Sequence, residues 1–124
     1  YNQVMAAYKK PKSDSERDDA IKEATLGAAR VPLEVAERSL RVIQLALEAA
    51  RSGNSNAVSD AGSAVHLAFA ALTSAAYNVR INLIGLEDDK EAAGLKKAIK
   101  KLEDQAGNSL QEIKEILTDR GGLF

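Results

Sequence analysis

Gly53-Asn54-Ser55-Asn56-Ala57-Val58-Ser59-Asp60-Ala61-Gly62 joins two long helical patterns, and its reading decides the fold. Gly53 suits the left-handed residue that closes a helix. Asn56 or Ser55 can cap the next one, and Asp60 falls in that helix's first turn, beside the positive end of the dipole. Farther along the same helix comes Asn78-Val79-Arg80-Ile81-Asn82-Leu83. Capping accounts for one asparagine and the aspartate of the junction. It leaves two asparagines and an arginine inside an alanine-rich helix, and that surplus polarity marks a candidate site.

Working outward, the apolar periodicity predicts an all-α chain, a multihelical bundle of long antiparallel helices. Residues 1–9 form the end of a helix that Lys10-Pro11 stops. Ser13-x-x-Glu16 has the capping-box pattern and opens a second helix reaching about Ser52. Pro32 lies inside it and should kink or interrupt it, since the ring removes one backbone donor and clashes one turn back. A third helix is expected from Ala57 to about Leu86. Glu87-Asp88-Asp89 then opens a fourth reaching about Thr118, with Gly107-Asn108 marking a bend or break. The tail, Asp119 to Phe124, frays or docks through Leu123 and Phe124. No strand-like alternation, internal repeat or low-complexity tract interrupts this reading.

The second helix carries two apolar seams, one through Leu26, Leu33, Leu40 and Leu47, another through Ala28, Val35, Val42 and Ala49. Together with Ala29, Ala36, Ile43 and Ala50 between them they cover roughly half the circumference. Glu34 with Arg38, and Glu37 with Arg41, are ordered for i,i+4 ion pairs on the remainder. A surface helix needs one stripe, so this one should pack between two neighbours, and a homodimer is expected. The third helix has a seam from Val58 to Leu86 flanked by Gly62, Ser63, Ala64, Ala71, Ser74 and Ala75, small residues that let axes approach closely. The fourth is simply amphipathic, with Leu95, Ile99, Leu102, Ala106, Leu110, Ile113 and Leu117 inward.

Composition narrows the class. With 124 residues the chain is one domain or less, and aromatics at only 4% leave alanine and leucine to supply its apolar content, favouring helices. Cysteine is absent, so neither a disulfide framework nor a thiolate zinc site is available. A formal net charge of -1 argues against general nucleic-acid binding. Ala61 to Val79 lacks Asp, Glu, Lys and Arg over about the length of a bilayer span. Its alanine, serine, glycine and threonine, with His66 and Asn78, would insert poorly, so a closely packed core helix is expected and a membrane segment is not.

Four stretches carry a resemblance: Val4-Met5-Ala6-Ala7-Tyr8-Lys9 with Pro11-Lys12; Val31-Pro32-Leu33-Glu34-Val35-Ala36-Glu37; Gly53-Asn54 through Ala61-Gly62; and Asn78 through Leu83. In order and spacing they resemble the cyclodeaminase/cyclohydrolase family of folate enzymes. The resemblance implies folate one-carbon chemistry. A cyclodeaminase closes formiminotetrahydrofolate to the methenyl form and releases ammonia; a methenyltetrahydrofolate cyclohydrolase adds water to the methenyl carbon. It implies no metal or separate cofactor, the tetrahydrofolate derivative being the substrate, and a cytoplasmic protein. Family members also carry an upstream Gly-Gly-Gly-Ser-type stretch that contributes to the folate site, and nothing here matches it. Tyr1, Val4, Met5 and Tyr8 begin at helical spacing with no cap before them. Residues 1–124 are therefore expected to be the C-terminal portion of a larger helical domain, with little activity alone. The competing reading is a non-catalytic helical-bundle dimerisation module that retains the fold.

Within the matching stretches Asp60 is the candidate catalytic residue, against the plain alternative of a dipole-stabilised first-turn carboxylate. Tyr8, Lys9, Lys12, Asn54, Asn56, Asn78, Arg80 and Asn82 are the candidate substrate-binding residues. Asn78 and Asn82 are i,i+4 and share a face, whereas Arg80 points nearly opposite; a buried helix asparagine also commonly just ties helices together. Eighteen residues separate Asp60 from Asn78, five turns, so both lie on one face roughly 27 Å apart. One pterin cannot touch both within a subunit. Lys9 and Lys12 could hold a folate carboxylate as point charges. Lys96, Lys97, Lys100 and Lys101 read as a solvated face balanced by Glu91, Glu103 and Asp104. His66, the sole histidine, reads as a half-buried or surface side chain rather than an acid/base group.

Overall fold

A computed structural model describes all of residues 1–124. Four helices and no strand make up the chain: α1 (Asn2–Lys9), α2 (Arg17–Ser52), α3 (Val58–Asn82) and α4 (Lys90–Gly121), with a 3-10 turn at Ser55–Ala57 between α2 and α3. The all-α expectation holds.

Ion pairs fix the directions of the long helices. Arg30 of α2 reaches Glu91 of α4, and Arg51 reaches Glu112, each across a sequence offset of 61. A constant offset means that α2 and α4 run parallel. Between α3 and α4 the numbers run oppositely: Arg80 meets Glu103, and Gly62 meets Leu117. The bundle is therefore up-down-up, with α3 antiparallel to both neighbours and short α1 lying on α2.

One cluster of 20 buried residues runs through the three long helices, with Leu26, Ile43, Leu72, Leu83, Ile99 and Ile113 sealed from solvent. Eight of its members are alanines, and small side chains bring axes close. Gly62 marks the tightest approach: a Cβ there would stand 2.9 Å from Leu117 Cδ1.

Several local expectations are corrected. α3 ends at Asn82, short of Leu86, because the Glu87 carboxylate accepts the Gly85 N–H at 3.0 Å and Gly85 turns the chain with φ 85°. Leu83 and Leu86 still face the core, from a turn instead of a helix. Gly53 is extended, with φ -76° and ψ -171°, so left-handed freedom is not its reason. A Cβ at Gly53 would lie 2.4 Å from the Ala49 carbonyl oxygen. Asn54, neither Ser55 nor Asn56, caps the junction, its side chain accepting the Asn56 N–H at 3.0 Å. The glycine that closes a helix in the left-handed conformation is Gly122, at the end of α4 with φ 60°.

Ser13 forms no capping box; Asp14 accepts the Glu16 N–H at 2.9 Å ahead of α2. α2 runs unbroken through Pro32 and α4 through Gly107-Asn108, held by packing along their full lengths. The Glu34–Arg38 pair forms, but Glu37–Arg41 does not. Asp89 opens α4 as expected, accepting from Glu91 and Ala92 N–H at 2.9 and 3.0 Å. α4 extends past Thr118 to Gly121, and Leu123 and Phe124 stay exposed. Arg120 closes the other end of the bundle, donating to the Ala50 and Gly53 carbonyls at the C-terminus of α2. There a cation meets the negative end of the dipole. No helix is long and apolar enough to cross a membrane.

Candidate functional site

α2 and α3 leave a long groove on the side away from α4. At one end, beside α1, a cavity of about 480 Å³ is lined by Tyr1, Val4, Ala28, Val31, Pro32, Val35, Asn78 and Asn82. A second, of about 470 Å³, continues past Val35 to Val42, Ala64, Leu67 and Ala71. Either lies within the roughly 300–1,000 Å³ that small-molecule sites occupy. The first cavity brings together residues from three of the matching stretches: Val4, the Val31–Val35 segment, and Asn78 with Asn82.

Local chemistry orients the two asparagines. Asn78 Nδ2 donates to the Ser74 carbonyl at 3.1 Å, and Asn82 Nδ2 donates to the Asn78 carbonyl at 2.8 Å. A carbonyl can receive only a donor, so the amide nitrogen must lie there and each Oδ1 is left over as an acceptor. The cavity walls carry no Asp, Glu, Lys, Arg or His. It is an apolar slot with polar groups at one wall.

The other expected site residues lie elsewhere. Asp60 is exposed in the first turn of α3. Asp60, Ala64, Leu67, Ala71 and Asn78 fall on one stripe at 100° per residue, but Asp60 lines neither cavity and stands roughly 27 Å from Asn78. Arg80 faces the opposite way. Its Nη1 donates to Glu103 Oε1 at 2.8 Å, and Nη2 pairs with Oε2, so its fork is engaged by α4.

Tyr8 borders a separate cavity of about 290 Å³ with Ile21, Lys22, Ile84 and Gly85, and the Arg17 guanidinium stands 5.7 Å from its ring centre. Lys9 and Lys12 are exposed around the α1–α2 turn. Asn54 and Asn56 belong to the α2–α3 junction, where the cap uses one side chain and one amide. His66 is exposed, its Nδ1 2.9 Å from the Gly62 carbonyl. No group of three His, Cys, Asp or Glu side chains converges to a metal-sized site.

Perturbed ionisation maps the architecture and not the groove. The Arg80 hydrogen bonds hold the Glu103 carboxyl below its ordinary range, and Glu103 raises Arg80 in turn. Backbone amides lower Asp14, Glu87 and Asp89, each at a turn or cap. Sequence reasoning passed over Pro32, Ala28 and Val31 as binding-wall residues. The available signal was a proline held in mid-helix, on the same apolar seam as Val35 and opposite the asparagines.

An all-α bundle with a ligand-sized groove, its carboxamide end free of charged side chains, is the class of protein that this chain forms. Residues 1–101 match the family described as formiminotransferase-cyclodeaminase, and the chain belongs to that family. It is similar to a methenyltetrahydrofolate cyclohydrolase from Methylorubrum extorquens, 39% identical across 97% of this chain. The chain spans 60% of that relative's length.

Proposed function

We propose that the whole protein is an enzyme of folate one-carbon metabolism that hydrolyses the methenyl bridge of methenyltetrahydrofolate. Family membership supports the folate class, and the 39% identity to a relative of that name favours the cyclohydrolase over the cyclodeaminase. In the reaction, water adds to the methenyl carbon, one carbon–nitrogen bond breaks, and a formyl group remains on the other nitrogen. A base takes the proton of the water and an acid supplies the departing nitrogen. The single observation carrying this reading within the molecule is the groove, because it gathers three of the four matching stretches. The tetrahydrofolate derivative is the substrate and no further cofactor is invoked.

Asp60 is the proposed base, and its roughly 27 Å separation from Asn78 requires that it serve another copy's groove or the far end of a long ligand. Val31, Val35 and Val42 of α2 and Leu67 of α3 are exposed, which supports a homodimer closing over this face. Lys9 and Lys12 would then meet a folate carboxylate as point charges, and reduced-folate chemistry suits the cytoplasm. One fact favours the alternative, a non-catalytic helical module: the cavity walls lack a carboxylate or imidazole.

Assay of the protein with methenyl- and formimino-tetrahydrofolate, following methenyl absorbance and ammonia release, separates the readings. Methenyl loss without ammonia is expected, with Asp60→Asn lowering kcat far more than the unfolding midpoint. Turnover of formimino substrate alone would make it a cyclodeaminase. No turnover of either, with no folate binding by calorimetry, would leave the helical module.

A further inference from the structure

Pro32 explains a feature of the groove that the reaction does not. In a helix each carbonyl accepts from the N–H four residues on; Pro32 has no N–H, so the Ala28 carbonyl lacks that donor. α2 nevertheless continues through this position. Ala28 and Pro32 both line the cavity that holds Asn78 and Asn82. Each carboxamide nitrogen gives one N–H to a backbone carbonyl, leaving the oxygen and a second N–H of each side chain. The slot thus offers three acceptors, Asn78 Oδ1, Asn82 Oδ1 and the Ala28 carbonyl that Pro32 leaves without its helical donor. One N–H of each carboxamide and the Tyr1 hydroxyl are beside them, between the apolar walls of Val4, Val31 and Val35.

We infer that this slot is a recognition site for a flat heterocycle whose edge presents several N–H donors together with a ring-nitrogen acceptor. On the folate reading above, on which this assignment rests, the occupant is the reduced pterin ring. N3–H, the 2-amino group, the bare N1 and N8–H run along one edge of it, donors for the three oxygens and one acceptor for a carboxamide N–H. The apolar walls cover the ring faces. The subsite orients the substrate by its pterin end and leaves the one-carbon unit toward the mouth of the groove. Pro32 is here a positioning residue: it acts by withholding a hydrogen bond from Ala28.

Pro32→Ala makes the inference testable, because it returns an N–H to the Ala28 carbonyl. The variant should melt at a higher temperature, since an interior helix proline is unfavourable. At the same time it should bind tetrahydropterin about fivefold more weakly by calorimetry, the worth of one hydrogen bond. Pterin should also outbind lumazine, which carries a carbonyl where pterin has the 2-amino group, by about tenfold or more. That preference should shrink in Asn78→Ala and Asn82→Ala.

A Pro32→Ala protein that is more stable yet binds tetrahydropterin unchanged would overturn the assignment, as would equal affinity for pterin and lumazine. The two readings fail separately. Turnover with KM unaffected by Pro32→Ala and Asn78→Ala would remove the subsite and keep the enzyme. Donor-selective pterin binding without turnover would remove the enzyme and keep the subsite.

Discussion

Arg80 was a candidate substrate ligand, and its engagement with Glu103 gives a way to decide what it does. Take Arg80→Met, which keeps most of the aliphatic stem, Glu103→Gln, and the two together. The pair is bidentate and partly shielded, with side chains 43% and 25% exposed. Exposed pairs are worth about 0–1 kcal/mol, and bidentate geometry puts this one near the upper end, about 1 kcal/mol of coupling. Each single change should cost somewhat more than the coupling, because it also strands the partner. In a domain of this size about 1 kcal/mol moves Tm by about 4 °C.

Urea unfolding of the four proteins measures the coupling directly. It should fall in 1 M salt, where screening reaches down to about 3 Å. Coupling below about 0.3 kcal/mol, together with lost folate affinity and unchanged stability in Arg80→Met, would refute the structural account. Arg80 would then belong to the site.

Two further outcomes test the fold. Leu72→Ala removes a fully buried side chain at the centre of α3 and should cost about 3 kcal/mol, read as a lower urea midpoint with unchanged helical circular dichroism. Asp14, Glu87, Asp89 and Glu103 all have carboxyls held below their ordinary values. A lowered folded pKa means that the unfolded chain binds more protons, so this stability is complete above the ordinary carboxylate range and is lost as pH falls through the folded values. The urea midpoint should be level from neutral pH to about 5 and then decline, less steeply in Glu103→Gln.

The helices were legible because apolar spacing is a property of long runs: the α3 and α4 seams and the Asp89 start can be read directly. Their ends were less so. Gly85 and Glu87 terminate α3 through one side-chain-to-amide bond, which competes locally with a seam that Leu83 and Leu86 continue. Gly53 looked like a left-handed cap, yet its small size matters for clearance over Ala49. Pro32 looked like a breaker because local preference disfavours it; packing along 36 residues of α2 outweighs that preference. Asn78 and Asn82 were picked out as a shared face. Their cavity partners could not be, since Val4 and Ala28 meet them only through tertiary packing. Arg80 looked equally polar and was separated from them only by its partner on α4.

The two ion pairs between α2 and α4 stand 21 residues apart on both helices, Arg30 to Arg51 and Glu91 to Glu112. That interval is three heptads, the repeat at which two parallel helices keep the same faces together. One residue inserted between the pairs on either helix would turn everything beyond it by about 100°. The second arginine would then miss its glutamate, and the core stripe would rotate toward water. Only changes near whole numbers of turns, about seven, eleven or eighteen residues, return the faces to register, and only when both helices change together. Length variation in relatives should therefore gather in the turns at residues 10–16 and 83–89, while the interval between these clamps stays constant.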